Sequence, residues 1–220
     1  MKAVTERQLL LLTGLLPIIT IHLCYLVAAS EGHVPWCFPY IDSCTSISAT
    51  GRHGISFWLF KITMLPYAAC LMIWWWRSHQ LLIRYGTHDA TIHIIGLIGG
   101  VFLILYVLAL GAVGDYFQLT RRVGIIVYFS LTYLALLLFT RQWLRCVPAS
   151  PWSSLPMYLL TLVLAIGLLT VVLDITYSNY DAIEDAFEWV EPLLIHLTLI
   201  AQALQLPDTR AQKRGSNRTP

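Results

Sequence analysis

The chain has 220 residues, of which 57% are hydrophobic and 12% are charged, and its formal net charge is +2. Soluble domains carry about 25% charged residues, so this composition excludes an ordinary water-soluble fold and indicates that the lipid bilayer is the solvent. The small net charge gives no reason to expect a nucleic-acid partner.

Six apolar stretches are long enough to cross a bilayer, which takes about 20 residues in a helix. They run over residues 8–29, 55–76, 92–113, 123–140, 155–174 and 187–206. The first stretch has the length of a spanning helix, so we interpret it as a signal anchor that is retained and not as a cleaved signal peptide. The fourth is the shortest and could begin one turn early, through Arg122, if that side chain snorkels.

The sequence therefore predicts an all-α fold, a polytopic bundle of six transmembrane helices over residues 1–206. A long outer loop is expected at 30–54 and a polar cytoplasmic tail at 207–220. A multi-pass protein of the plasma membrane or of a bacterial inner membrane fits this organisation.

Basic residues predict the orientation, because Lys and Arg are retained on the cytoplasmic side of a membrane. If the N-terminus is cytoplasmic, only Arg52, Arg121 and Arg122 lie on the opposite side. The cytoplasmic segments then hold most of the basic residues, namely Lys2, Arg7, Arg77, Arg84, Arg141, Arg145, Arg210, Lys213, Arg214 and Arg218. We therefore predict that both termini are cytoplasmic.

Two of the five cysteines, Cys37 and Cys44, lie in the predicted outer loop. This loop would face an oxidising compartment, where disulfides persist, so the two residues could form a short disulfide loop. Two free thiols buried in a folded loop are the alternative, since spacing alone does not give the Cα separation that a bridge needs.

Ionisable side chains inside spans are costly and raise a functional hypothesis. Glu188 and Glu191 open the sixth span, where the helix dipole favours negative charge, so a simple helix start is the alternative for both. His22 and His196 lie deeper, and a hydrogen bond between helices is the alternative for each. Lys61 lies about two turns from the outer surface, within reach of snorkelling.

The functional interpretation of these residues is a polar cavity that opens to the outer leaflet. His22, Lys61 and Glu188 or Glu191 would line it, and Asp42 and His53 would face it from the loop above. No spacing in the sequence matches a metal site, a nucleophile elbow, a phosphate-binding loop or a dinucleotide fingerprint. No metal or cofactor is therefore predicted.

Three short stretches resemble a known family of six-span membrane proteins. They are Phe38-Pro39-Tyr40-Ile41-Asp42-Ser43, then Gly114-Asp115-Tyr116-Phe117-Gln118 with Gly124, Tyr128 and Phe129 after it, and Phe187-Glu188-Trp189-Val190. Their order is similar to that in the DRAM, FRAG and Sfk proteins, whose wider group includes the GPI-anchor remodelling factor PGAP. That family often has a histidine leading into its fourth helix, where this chain has Arg121 and Arg122.

The resemblance implies a lipid-related role, with membrane lipids as partners, but no reaction type. In the first hypothesis Asp42, Asp115, Gln118 and Glu188 orient the loop and bind a lipid head group. In a second, a lipid acyltransferase or hydrolase uses His53 or His22 as its general base.

A third hypothesis makes the chain a non-catalytic subunit that assembles with another membrane protein. Small residues in the third span would allow close helix approach, although they would serve internal packing equally well. These residues are Gly96, Gly99, Gly100, Gly111 and Gly114.

Overall fold

The computed structural model describes residues 4–87, 90–146 and 152–206, and within them the chain forms helices and no β-strand. The helices are α1 (Glu6–Ser30), α2 (Pro39–Asp42), α3 (Ile47–Thr50), α4 (Gly54–Arg84), α5 (Thr91–Ala109), α6 (Asp115–Cys146), α7 (Leu155–Thr176), a short 3-10 helix (Tyr180–Ala182) and α8 (Glu184–Gln205). Six of them, α1 and α4 to α8, are long and apolar enough to cross a membrane. The predicted all-α, multi-pass architecture is confirmed at this level, and the predicted tail at 207–220 lies outside the described residues.

Two helices are much longer than their apolar stretches. The fourth span, predicted as the shortest, belongs to α6, which has 32 residues, and α4 has 31 residues and continues to Arg84. Charged side chains end an apolar stretch but do not end a helix, because they can reach the headgroups or water while the backbone stays hydrogen-bonded. Hydropathy therefore predicted the apolar part of each helix and not its full length.

The third span ends earlier than predicted, at Ala109, because two glycines follow it in the left-handed region of backbone space. Gly111 has φ +80° and Gly114 has φ +119°, conformations that cost a glycine little and stop a helix. The stretch from Asp115 to Gln118, which follows the predicted third span, forms the first turn of α6.

Successive spanning helices alternate in direction, so the bundle has two distinct ends. We call the end with residues 31–53, 110–114 and 177–183 the loop end, and the opposite one the termini end. At the termini end Arg77 donates a hydrogen bond to the carbonyl of Val4 over 2.8 Å, and Gln205 donates to the carbonyl of Trp152 over 2.9 Å. The basic residues predict that the termini end is cytoplasmic.

The core forms where α1 packs between α4 and α8, and where α5 packs between α4 and α6. A side chain on Gly14 would meet the backbone of α8, with its Cβ 3.1 Å from the His196 carbonyl oxygen. In α5, Gly96 lies against Trp75 and Gly100 against Met72. These glycines allow close helix approach within the chain itself.

The ring of helices is loosely closed between α6 and the α7–α8 pair. At the termini half, Gln202 of α8 hydrogen-bonds to Thr140 of α6. The buried residues of α7 are Pro156, Leu160 and Val163, all in its first nine positions, and residues 164–176 include no buried side chain. The loop half of α7 therefore adds no buried side chain to the core, although Gly167 lies against Glu191 of α8, and a gap remains beside α6.

Candidate functional site

A cavity of about 680 Å³ occupies this gap, in the loop half of the bundle. This volume falls in the range of small-ligand sites, about 300–1,000 Å³. Side chains from α1, α3, α4, α5, α6 and α8 line it, whereas α7 contributes only Thr170. Ile126 of α6, at the edge, is 57% exposed. The cavity is therefore bounded by packed helices on most sides and is open beside the loop half of α7.

Charged residues line the part of the cavity nearest the loop end. Its acidic residues are Glu184, Glu188 and Glu191, and its basic residues are Arg52, Arg121 and Arg122. The acids are spaced four and three residues apart, so they share one face of α8. The arginines come from the segment before α4 and from the first turns of α6.

Glu188 and Arg52 are joined through Ser48 and not by a direct ion pair. The backbone N–H of Ser48 donates to Glu188 Oε1 over 3.3 Å, and the Arg52 guanidinium donates to Ser48 Oγ over 2.7 Å. Arg121 donates to the carbonyls of Ala109 and Ala112, over 3.2 and 2.7 Å. It thereby satisfies carbonyl groups at the C-terminus of α5.

Apolar side chains line the cavity between this charged part and the centre of the bundle. They include Phe60 and Met64 of α4, Leu103 of α5 and Phe129 of α6. From Glu188 to His196 the α8 axis advances about 12 Å, at about 1.5 Å per residue. The cavity thus runs from a charged region near the loop end to an apolar region nearer the middle of the spans.

A buried hydrogen-bond chain closes the deep end. His196 Nδ1 lies 2.6 Å from the carbonyl oxygen of Pro192, and its Nε2 lies 3.2 Å from the Tyr67 hydroxyl, which is 2.8 Å from that of Tyr128. A carbonyl only accepts, so Nδ1 carries the hydrogen. A charged imidazole buried without a carboxylate partner would be costly. In the neutral ring Nε2 accepts from Tyr67, and Tyr67 accepts from Tyr128.

His22 repeats this arrangement in α1. Its Nδ1 donates to the carbonyl of Ile18 over 2.6 Å, and its Nε2 lies 3.0 Å from the Tyr40 hydroxyl. Burial raises the pKa of Tyr40, so this phenol stays protonated and donates to His22. Both ring nitrogens of His22 are therefore occupied by structural hydrogen bonds.

The segment 43–48 is pinned to the first turns of α8. The backbone N–H of Ala186 donates to Ser43 Oγ over 3.2 Å, and Trp189 Nε1–H donates to the carbonyl of Thr45 over 2.8 Å. The first of these bonds satisfies a backbone donor at a helix start that has no side-chain cap, and together with the Ser48 contact to Glu188 the bonds hold the segment against α8. They also place Ser48 against the cavity.

Cys37 and Cys44 lie at disulfide-bonding distance, with a Cα–Cα separation of 6.6 Å. The predicted bridge between them is therefore present in the structure. The bridged loop is also fastened to α1, because Tyr25 donates to the Cys37 carbonyl over 2.7 Å and accepts from the Cys37 N–H over 2.8 Å. The bridge holds together the loop that covers the start of α8.

Of the eight predicted site residues, the cavity brings together three, namely Gln118, Glu188 and Glu191. The others lie elsewhere. Asp42 accepts from the backbone N–H of Phe38 over 2.6 Å, Asp115 is exposed at the start of α6, and exposed His53 precedes α4 with its ring 5.5 Å from that of His33.

Lys61, on α4, donates to the carbonyl of Leu108 over 3.3 Å and lies over the ring of Phe57. His22 lies under the bridged loop, stacked on Tyr40 at a ring separation of 5.9 Å. Neither side chain is among those that line the cavity. The predicted polar pocket and the observed cavity therefore share Gln118, Glu188 and Glu191 but differ in the rest of their lining.

The residues that sequence reasoning missed are basic or aromatic. The sequence analysis did not propose Arg52, Arg121 or Arg122 as site residues, yet all three line the cavity. The position of these arginines at the ends of apolar stretches was a usable signal, because a charged residue there can line the opening of a cavity as well as anchor a helix at the membrane surface. Tyr67 gave no signal, because a lone tyrosine in an apolar helix looks like ordinary core.

Among the described residues, no group of three or more His, Cys, Asp or Glu side chains is placed to hold a metal ion. Burial raises the pKa of Tyr180, a further lining residue, so its phenol stays neutral in the cavity. What the site offers is a set of charged and hydrogen-bonding groups above an apolar region.

No protein-family model matches the chain, and neither the curated proteins nor the solved structures contain a similar one. The resemblance to the DRAM, FRAG and Sfk proteins therefore stays a prediction that rests on the three short stretches.

Proposed function

We propose that this integral membrane protein binds a membrane lipid in the cavity between α6 and the α7–α8 pair. One observation carries the proposal, namely that the cavity is charged near the loop end and apolar towards the middle of the spans. A membrane lipid has the same order of groups along its length, with a polar head at the surface and an acyl chain below. The head group would lie in the charged part of the cavity and the acyl chain in its apolar part.

The loop half of α7 supports a sideways route into the cavity. Because residues 164–176 include no buried side chain, this half of the helix has little packing to hold it against α6. Regions with few buried apolar contacts open at the lowest free energy. A lipid could therefore enter from the bilayer between α6 and α7 without crossing the polar loops.

We propose binding and not catalysis as the activity of this site. Neither His53 nor His22, the two general bases considered from the sequence, lines the cavity, and the lining histidine, His196, has both ring nitrogens occupied by hydrogen bonds. A general base needs a free nitrogen within reach of the proton it removes. The loop end would face away from the cytoplasm, so the lipid would come from the outer leaflet.

The test blocks the proposed entrance. Ile126→Trp places a large side chain at a lining position of α6 that is 57% exposed, whereas Val123→Trp places the same side chain on the same helix at a 41% exposed position that does not line the cavity. Both variants and the parent are reconstituted into nanodiscs, and retained lipid is counted by native mass spectrometry. We expect the parent and Val123→Trp to retain lipid and Ile126→Trp to lose most of it. Equal retention by all three would remove the cavity as the binding site.

A further inference from the structure

The charged part of the cavity is formally neutral. Its wall carries three arginines and three glutamates, so a ligand with a net charge would leave an unmatched charge in a partly desolvated site. Unmatched charges are costly away from bulk water. The wall is instead suited to a ligand that carries both signs.

The negative and the positive side chains lie on different walls of the cavity. All three glutamates are on α8, whereas the arginines come from the segment before α4 and from α6. Within the residues that the structure describes, no nitrogen of these arginines lies within 4.0 Å of an oxygen of these glutamates. The charges therefore face a common space without neutralising each other in pairs.

Several of these groups have hydrogen-bonding capacity to spare. Arg122 and Glu184 are exposed, Glu191 is partly exposed, and Glu188 has its described bond at only one of its two oxygens. Arg121 is engaged by the carbonyls at the end of α5. A ligand would find its cation acceptors along α8 and its anion donors at Arg122 and at the remaining N–H groups of exposed Arg52.

From this arrangement we infer that the cavity selects a zwitterionic phospholipid whose head group carries a protonated primary amine beside its phosphate. The inference rests on the proposed lipid-binding function and adds the chemical class of the lipid. A guanidinium matches phosphate oxygens in a planar, bidentate fashion. An ammonium offers three N–H donors to the carboxylates, whereas a quaternary amine offers none.

The experiment uses full-length protein in nanodiscs that contain equal amounts of phosphatidylethanolamine, phosphatidylcholine and phosphatidylglycerol with identical acyl chains. Lipid retained by the protein is identified by native mass spectrometry. We expect phosphatidylethanolamine to be retained about tenfold over each of the others, since one hydrogen bond to a charged group is worth at least that factor.

Two variants shift the preference in opposite directions, which a folding defect would not do. Glu184→Gln combined with Glu191→Gln gives the cavity a formal charge of about +2 and should lower the ratio of phosphatidylethanolamine to phosphatidylglycerol about tenfold. Arg122→Gln makes the cavity negative and should raise that ratio. Asp181→Asn removes an exposed acid that is close in sequence but not part of the lining, and should leave the ratio unchanged.

The possible results separate the two proposals. If phosphatidylglycerol is retained as well as phosphatidylethanolamine, the cavity does not select a zwitterionic head group. If phosphatidylcholine is retained as well as phosphatidylethanolamine, the cavity does not select an amine with N–H donors. The proposal that the cavity binds lipid would stand in both cases. No retained lipid of any kind would overturn the proposed function together with this inference. Soluble glycerophosphoethanolamine, which lacks acyl chains, should not displace the lipid, and displacement would identify a water-soluble ligand instead.

Discussion

Replacing Trp189 by Phe tests whether the contact between segment 43–48 and α8 holds the loop end together. Trp189 is fully buried, and its Nε1–H is bonded to the carbonyl of Thr45, a residue only 6% exposed. Phenylalanine keeps an aromatic ring but has no donor, so the Thr45 carbonyl loses its partner. The edge contacts of Trp189 with Tyr25 and Tyr40, at ring separations of 5.9 and 5.6 Å, would also change.

The expected cost has two parts. Leaving a buried acceptor without its partner costs about 1–3 kcal/mol. The space left by the smaller ring adds about 1 kcal/mol, at about 24 cal/mol per Å³ of residual cavity. For a chain of this size each kcal/mol lowers the unfolding midpoint by about 2–4 °C, so a total cost of about 2–4 kcal/mol in Trp189→Phe should lower it by about 4–16 °C.

Thermal unfolding in one detergent, followed by circular dichroism, measures this effect. Trp58→Phe is the matched control, because Trp58 lies on α4 near the same end of the bundle and is 63% exposed. Its midpoint should move by less than about 2 °C, in line with substitutions at exposed positions. Equal shifts in the two variants would refute the idea that the Trp189 bond and its packing stabilise the loop end.

Two further predictions concern the bridged loop and the orientation. Opening the bridge with Cys44→Ser should lower the free energy of unfolding by about 2–3 kcal/mol, as expected for a short closed loop. The control Cys146→Ser, at a free thiol, should change it little. Equal thermal unfolding midpoints for Cys44→Ser and the parent would contradict a stabilising bridge between Cys37 and Cys44. If both termini are cytoplasmic, a cysteine at Asn179 should react with an impermeant maleimide in intact cells, and one at Gln80 only after lysis. The reverse pattern would invert the predicted topology.

The sequence by itself determined the class of the protein and the number of its spans. In lipid the backbone N–H and C=O groups of an isolated segment must form hydrogen bonds within that segment, so a long apolar stretch is expected to be a helix. Composition and hydropathy are local properties and need no tertiary contacts to be read. For Cys37 and Cys44 the sequence offered a bridge and free thiols as alternatives, and the Cα separation of 6.6 Å in the structure decided for the bridge.

The candidate site was only partly predictable. Glu188 and Glu191 could be proposed because carboxylates in a span are unusual, and both line the cavity. Lys61 met the same criterion but reaches the carbonyl of Leu108 instead. Rarity in an apolar helix identifies a residue that needs a partner, but it does not identify the partner.

Only the tertiary structure decided which side chains share a space. Ser48 meets Glu188 across 140 positions of sequence, and Tyr67 meets His196 across 129. Helices that are apolar all round, such as α6 and α7, carry no periodic pattern that fixes which face points inward. Their rotation and spacing are set by packing against neighbours, and the cavity lies where α6 is only loosely packed against the α7–α8 pair.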